Sequence, residues 1–94
     1  MSEVQLVKNI LKKLRSTTQQ EGLWIKIHGG PFQVVGLPDI IGLYKGRFYG
    51  FEIKLPGKED TLTAVQQYYI DRINNCGGVS LMATSVREVI QALK

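Results

Sequence analysis

Two β-rich runs separated by only two residues constrain the fold of this chain more than any other feature. The runs cover residues 37–44 and 47–55, and Lys45-Gly46 lies between them. A two-residue connection that contains glycine is typical of a tight β-hairpin, because glycine readily adopts the positive φ angles that the turn requires. A turn of this length also sets the register, so Tyr44 is predicted to pair with Arg47.

Three charged residues lie within this hairpin among mostly apolar neighbours. Continuing the register places Asp39 opposite Glu52, with side chains roughly 5 Å apart, and Lys54 on the same face. Two carboxylates this close repel each other unless a proton or a cation lies between them. Oxygen ligands suit Mg²⁺ or Mn²⁺, so the pattern favours a metal site. The alternative is a structural ion pair between Lys54 and one carboxylate at the sheet edge.

Three helices are predicted where apolar residues recur at steps of three and four, in residues 4–14, 65–76 and 86–93. Each stretch begins close after a Ser or Thr that has Gln or Glu three residues later, which is the spacing of a capping box. These pairs are Ser2 and Gln5, Thr63 and Gln66, and Ser85 and Glu88.

Two further strands complete the predicted order. Leu23, Ile25 and Ile27 alternate with more polar or aromatic residues, and residues 79–83 form a β-rich run after two glycines. The order α-β-β-β-α-β-α predicts an α/β fold with helices flanking a small mixed sheet. The last strand follows a helical crossover, so it is expected to lie parallel to another strand.

Length and composition exclude several classes of protein. The 94 residues, 44% of them apolar, fit one globular domain over residues 1–94. One Cys and one His form neither an internal disulfide nor a structural zinc site. No apolar run approaches the roughly 20 residues of a membrane span, and the start lacks a signal-peptide pattern. A cytoplasmic protein without a membrane partner is therefore expected.

The net charge of +4 is concentrated near the start, where the first twenty residues carry four basic residues and one acidic residue. Such a block is typical of a solvated helix face, but it also suits a strip that faces phosphates. The glycine-rich segment 29–36 also has two interpretations. It is either a plain connector or a loop whose exposed amides meet a phosphate or a scissile strand.

Pro38-Asp39, followed after twelve residues by Glu52-Ile53-Lys54, resembles the signature of the PD-(D/E)XK nucleases. Within that superfamily the chain is similar to the VRR-NUC (virus-type replication-repair nuclease) domain, in a minimal stand-alone form. The resemblance covers nearly the whole chain and implies a restriction-endonuclease-like α-β-β-β-α-β core. The stretches that carry it are residues 36–39, 51–56, 62–66 and 77–79.

The resemblance implies metal-dependent hydrolysis of phosphodiester bonds. Asp39 and Glu52 would bind Mg²⁺ or Mn²⁺ together with the backbone carbonyl of Ile53, and Lys54 would orient or activate the water. These roles agree with the chemistry expected from the hairpin alone.

The family also completes its site with a glutamate from the first helix and a glutamine from the second, which correspond here to Glu3 and Gln66. Each has a simpler explanation. An acidic residue in a first helical turn is favoured by the helix dipole, and Gln66 is the third helical residue of a capping box.

The expected substrate is branched DNA such as a Holliday junction or a flap, because the family resembles junction resolvases and acts in DNA repair. The approximate two-fold symmetry of a four-way junction suits a homodimer. Residues expected to contact DNA are Lys58, Lys26, Gly29 and Gly30. Candidates for the dimer interface are Phe32, Val34 and Tyr49.

Two other functions remain open at this stage. A non-catalytic DNA-binding module of the same fold would be expected to lack part of the Asp–Glu–Lys set, which is complete here. A sequence-specific, restriction-like nuclease would be expected to carry a target-reading region, for which 94 residues leave little room.

Overall fold

Three α-helices pack against one four-stranded sheet, in the order that the sequence predicts. The computed structural model describes residues 1–94. Its main elements are α1 (Glu3–Thr18), β1 (Gly22–Lys26), β2 (Ile40–Tyr44), β3 (Arg47–Ile53), α2 (Ala64–Asn75), β4 (Val79–Ala83) and α3 (Val86–Ala92). Short 3₁₀ turns at Gln19–Glu21 and Glu59–Thr61 were not predicted. None of the helices has the length and apolar character that crossing a membrane requires.

The sheet is mixed, with strand order β1-β2-β3-β4. The first three strands are antiparallel neighbours, and β4 lies parallel to β3 after the crossover through α2. The predicted α/β class and the parallel placement of the last strand are therefore confirmed.

The central hairpin has the predicted register, with Tyr44 opposite Arg47 and Ile40 opposite Phe51. Lys45 and Gly46 have φ angles of 53° and 75°, the positive values required of both central residues in a type I′ turn. Both strands are shorter than the predicted runs 37–44 and 47–55. Strand β2 begins at Ile40, and β3 ends at Ile53.

All three predicted N-caps are present, since the side chains of Ser2, Thr63 and Ser85 each accept a backbone N–H. Only the box at Thr63 is reciprocal. The Glu88 carboxylate instead accepts the N–H of Thr84 at 2.7 Å.

The main core lies between α1, α3 and one face of the sheet. Phe51 and Ile53 of β3 are fully buried on this face, together with Ile10 and Leu14 of α1. Tyr49 belongs to the same core, with its ring 5.7 Å from that of Trp24. The suggestion that Tyr49 helps to form a dimer interface is therefore wrong, because alternation in β3 directs it toward the core.

The opposite face of the sheet is only partly covered. Helix α2 packs on β3 and β4, where it buries Ile70. On β1, β2 and the start of β3 this face leaves apolar side chains exposed, and we call these residues the apolar end of the face. They are Leu23, Ile25, Leu43 and Phe48.

Candidate active site

Asp39 and Glu52 lie side by side at the other end of this partly covered face. Asp39 directly precedes β2, and Glu52 directly follows Phe51, which pairs with Ile40. The N–H of Ile53 donates to Asp39 Oδ2 at 2.8 Å, and the N–H of Ile27 donates to the Asp39 carbonyl at 2.8 Å. Asp39 is therefore held between the end of β3 and the residue that follows β1.

Glu52 is buried although it is acidic, with only 3% of its surface exposed. Its Oε1 atom is buried and has no hydrogen-bond partner. Leaving a buried oxygen unpaired costs on the order of 1–3 kcal/mol, and more when the group is charged. Folding stability alone does not account for a carboxylate at this position.

The surroundings of Glu52 favour its neutral form. Burial, followed by the hydrogen bond and the charge of Asp39, raises the pKa of Glu52 from 4.5 to about 9. The positive charge of Lys54 acts in the opposite direction, and the charge of Glu3 adds a small further increase to this pKa. A carboxyl group with this pKa holds a proton at neutral pH unless a cation takes its place.

Lys54 follows β3 and is also buried, with 8% of its surface exposed. Its backbone N–H donates to the Ala83 carbonyl at 3.0 Å, which extends the pairing of β3 with β4 by one residue. Its positive charge lowers the pKa of Glu52 and so opposes the effect of burial on that carboxyl group. We call Asp39, Glu52 and Lys54 the carboxylate end of the face.

Glu3 and Gln66 have weaker connections to this end. Glu3 is exposed in the first turn of α1 and acts on Glu52 through its charge. The side-chain oxygen of Gln66 accepts the N–H of Thr63 at 2.9 Å, which is the capping role that the sequence also allowed. The structure gives neither residue a direct bond to the carboxylates.

No group of three or more His, Cys, Asp or Glu side chains lies close enough to hold a metal ion. A cation at the carboxylate end would therefore be held by Asp39, Glu52 and the Ile53 carbonyl alone. This small set suits Mg²⁺, which retains several waters and is usually bound by one or two carboxylates together with substrate phosphates. The unpartnered Oε1 of Glu52 is the atom that such a cation would satisfy.

The four residues predicted to contact DNA lie in different settings. Lys58 is exposed beside the turn that follows Lys54, whereas the Lys26 ammonium donates to the Ile27 carbonyl at 2.7 Å. Gly29 and Gly30 line a cavity of about 270 Å³ that also borders Asp39. The glycines are therefore next to the site, while Lys26 already has a partner within the chain.

Sequence reasoning missed two concave surfaces. One is the cavity beside Asp39, and the other is a groove of about 560 Å³ lined by Leu6, Leu55, Pro56 and Thr84, among others. Leu55 and Pro56 directly follow Lys54 in the chain. The groove joins three segments that are distant in sequence, so no local pattern indicates it.

Comparison of the chain with protein-family models gives no match. A search of the curated proteins gives no match either.

Proposed function

We propose that this protein is a Mg²⁺- or Mn²⁺-dependent nuclease of the PD-(D/E)XK type, similar to the VRR-NUC domain, with a restriction-endonuclease-like core. The observation that carries the proposal is the carboxylate end of the sheet face. There Glu52 is buried beside Asp39 with one oxygen unpartnered, and the charge of the buried Lys54 acts on Glu52.

A structural ion pair is a poorer explanation of this arrangement. One lysine neutralises one carboxylate, and a buried pair that serves stability satisfies its remaining oxygens with hydrogen bonds. Here a second carboxylate lies against the first and Glu52 Oε1 remains unpaired. A divalent cation neutralises both carboxylates and supplies the missing partner, so the site suits cation binding better than stability.

Each residue of this end has a role in hydrolysis. Asp39 and Glu52 would hold the cation together with the carbonyl of Ile53, and the Ile53 N–H already positions Asp39. Bound there, Mg²⁺ or Mn²⁺ would supply a Lewis acid for a phosphoryl oxygen and lower the pKa of water. Lys54 would orient the attacking water and offset the negative charge that grows on the phosphoryl oxygens.

The proposed substrate is branched DNA. Phosphate contacts position a protein on DNA without specifying its sequence. Selectivity would then come from the shape and deformability of the DNA, which differ at junctions and flaps. The net charge of +4 favours association with phosphates.

We further propose that the apolar end of the face binds a second copy of this chain. Leu23 and Leu43 are 58% and 51% exposed although they lie in the sheet, and α2 covers only β3 and β4. Contiguous apolar patches on a surface are typical of interaction sites. A two-fold pairing of this face would give two carboxylate ends in symmetric positions, as a four-way junction requires.

A cleavage assay tests the nuclease. Labelled four-way junctions, flaps and linear duplex are incubated with the protein in Mg²⁺, in Mn²⁺ or in EDTA. We expect cleavage of the branched DNA with either metal, none in EDTA, and none with Asp39→Ala. The control Asp60→Asn changes an exposed carboxylate in the 3₁₀ turn and should retain activity.

Cleavage that persists with Asp39→Ala would contradict the proposed site. Tight binding of branched DNA without cleavage in either metal would instead favour the non-catalytic binding module. Preference for one linear sequence over all branched substrates would favour the restriction-like alternative.

A further inference from the structure

The segment between β1 and β2 exposes apolar side chains beside the candidate site. Phe32 is 99% exposed, and Val34 and Val35 are 55% and 78% exposed. No charged residue occurs from Gly29 to Pro38. Several apolar residues exposed close together in one loop are unfavourable in water and are typical of a functional surface.

One end of this loop is packed against α2, while its other end and its tip contact little. A Cβ atom at Gly36 would collide with the Val65 side chain of α2, and the φ angle of Gly36 is +91°, which favours glycine. A Cβ atom at Gly29 would meet nothing within 4 Å. The loop is therefore anchored on α2 next to Asp39 and presents Phe32 to solvent.

The loop and the site share one cavity, of about 270 Å³, which is lined by Gly30, Gln33, Val34 and Pro38 as well as Asp39. A molecule bound at Asp39 would therefore border the loop. The loop carries no positive side chain for phosphates and no negative one to repel them. Its chemistry suits the flat faces of nucleobases, on which an aromatic ring stacks.

We propose that Phe32 is a specificity-determining wedge that stacks on the base pair exposed at a DNA branch point. This inference rests on the proposed function, because it assumes that the carboxylate end acts on DNA. An intact duplex hides the faces of its base pairs, whereas a junction or a flap exposes one where the helix is interrupted. Apolar side chains of other DNA-binding proteins insert between base steps in a similar way.

Binding in EDTA tests the wedge without relying on cleavage. The affinity of the full chain and of Phe32→Ala is measured by fluorescence anisotropy on a four-way junction and on linear duplex of equal length. Loss of one aromatic stack should weaken junction binding by about 5- to 150-fold. Duplex binding should stay within about twofold, because phosphate contacts provide most non-specific affinity. Phe32→Trp should retain the junction preference.

A fluorescence measurement then locates the contact between Phe32 and the DNA. With 2-aminopurine at the branch point, stacking should quench its fluorescence in the wild-type complex, and Phe32→Ala should restore that fluorescence. The matched control Tyr68→Ala removes another exposed aromatic ring, on α2, and should change neither affinity nor fluorescence.

Equal weakening on junction and duplex, unchanged junction binding, or no 2-aminopurine response would each overturn the wedge. Dissociation of a dimer by Phe32→Ala, measured by sedimentation, would overturn it in favour of contact with a second copy. This result differs from a failure of the proposed nuclease activity. In that case cleavage would be absent while Phe32-dependent junction binding persists.

Discussion

At one end of the sheet face that carries α2, the ionisable side chains of Glu52 and Lys54 are buried, whereas at the other end Leu23 and Leu43 are apolar and about half exposed. Globular proteins usually bury apolar residues and expose charged ones. Both ends belong to one face, because the register places Asp39, Ile41 and Leu43 at alternate positions of the same run.

The difference indicates what each end is for. Burying Glu52 raises its pKa and leaves an oxygen unpaired, which weakens the fold at the position proposed for a cation. Exposing Leu23 and Leu43 gives up the stabilisation that their burial within the chain would provide. It leaves an apolar surface that a partner can cover. We infer that the carboxylate end is built for chemistry and the apolar end for assembly, and four predictions examine that division.

The largest expected effect is loss of cleavage when the carboxylate end is changed. Glu52→Gln keeps the size of the side chain but removes the charge that would hold the cation, and Lys54→Met removes the ammonium group. We expect each to lower the cleavage rate of branched DNA by at least about 10²–10³-fold. Single-turnover cleavage of a labelled junction measures this.

The same variants should leave assembly unchanged. The exposed-site control Glu21→Gln should retain both cleavage and oligomeric state. If Glu52→Gln dissociated the protein, the division between the two ends would be wrong.

A charge introduced at the apolar end should weaken formation of the proposed dimer. Leu43→Lys would place an ammonium group in the proposed interface, which costs several kcal/mol if the charge is buried there unpaired. We expect the dimer to dissociate at least about 100-fold more readily. Sedimentation velocity over a concentration series measures this. Val4→Lys, at an exposed position of α1, is the control.

If Leu43→Lys remained dimeric, the apolar end would not be the interface. If it unfolded, circular dichroism would show the loss of structure. Leu43→Ser, which removes the apolar contact without adding a charge, would then test the interface.

The buried carboxylate should make stability depend on pH. The pKa of Glu52 lies near 9 in the folded chain and near 4.5 when it is unfolded, so the folded state binds more protons between these values. The folded state is therefore favoured most below pH 4.5, and this advantage is lost as pH rises through 9. The free energy of unfolding in EDTA should fall by up to about 1.4 kcal/mol per pH unit across this window.

Urea unfolding at several pH values measures this slope. Glu52→Gln cannot titrate, so most of the slope should disappear in that variant, whereas Glu59→Gln, an exposed control, should retain it. An equal slope in Glu52→Gln and wild type would show that Glu52 is not the titrating group.

The smallest effect is expected outside both ends, at Lys58. This exposed side chain lies four residues after Lys54, and it would contact only the DNA backbone. Lys58→Gln should weaken DNA binding similarly on all substrates and reduce the slope of log affinity against log salt by about 0.9. Anisotropy titrations at several salt concentrations measure the slope, and Lys94→Gln is the control. A change in junction preference would contradict a backbone contact.

Much of the fold was predictable because local interactions determine it. The Lys45-Gly46 turn sets the hairpin register by its backbone angles, and Ser2, Thr63 and Ser85 mark the helix starts by bonding nearby N–H groups. The pairing of Asp39 with Glu52 follows from the same register.

Other features were not predictable because they depend on distant elements. Alternation in β1 indicated a strand but not which side is buried. The structure buries Trp24, whose indole N–H donates to Thr18 Oγ1 at 2.9 Å, and exposes Leu23 and Ile25. The anchoring of the Phe32 loop on α2 also joins residues far apart in sequence.

The sequence by itself therefore determined which residues pair within the β2–β3 hairpin, since turn geometry and strand alternation act over a few residues. Only the tertiary structure decided which of them are covered. Helix α2 lies over β3 and β4 and not over β1 and β2, and this placement leaves Leu43 exposed while Glu52 is buried. Burial is a property of long-range packing, and the pKa of Glu52 follows from it.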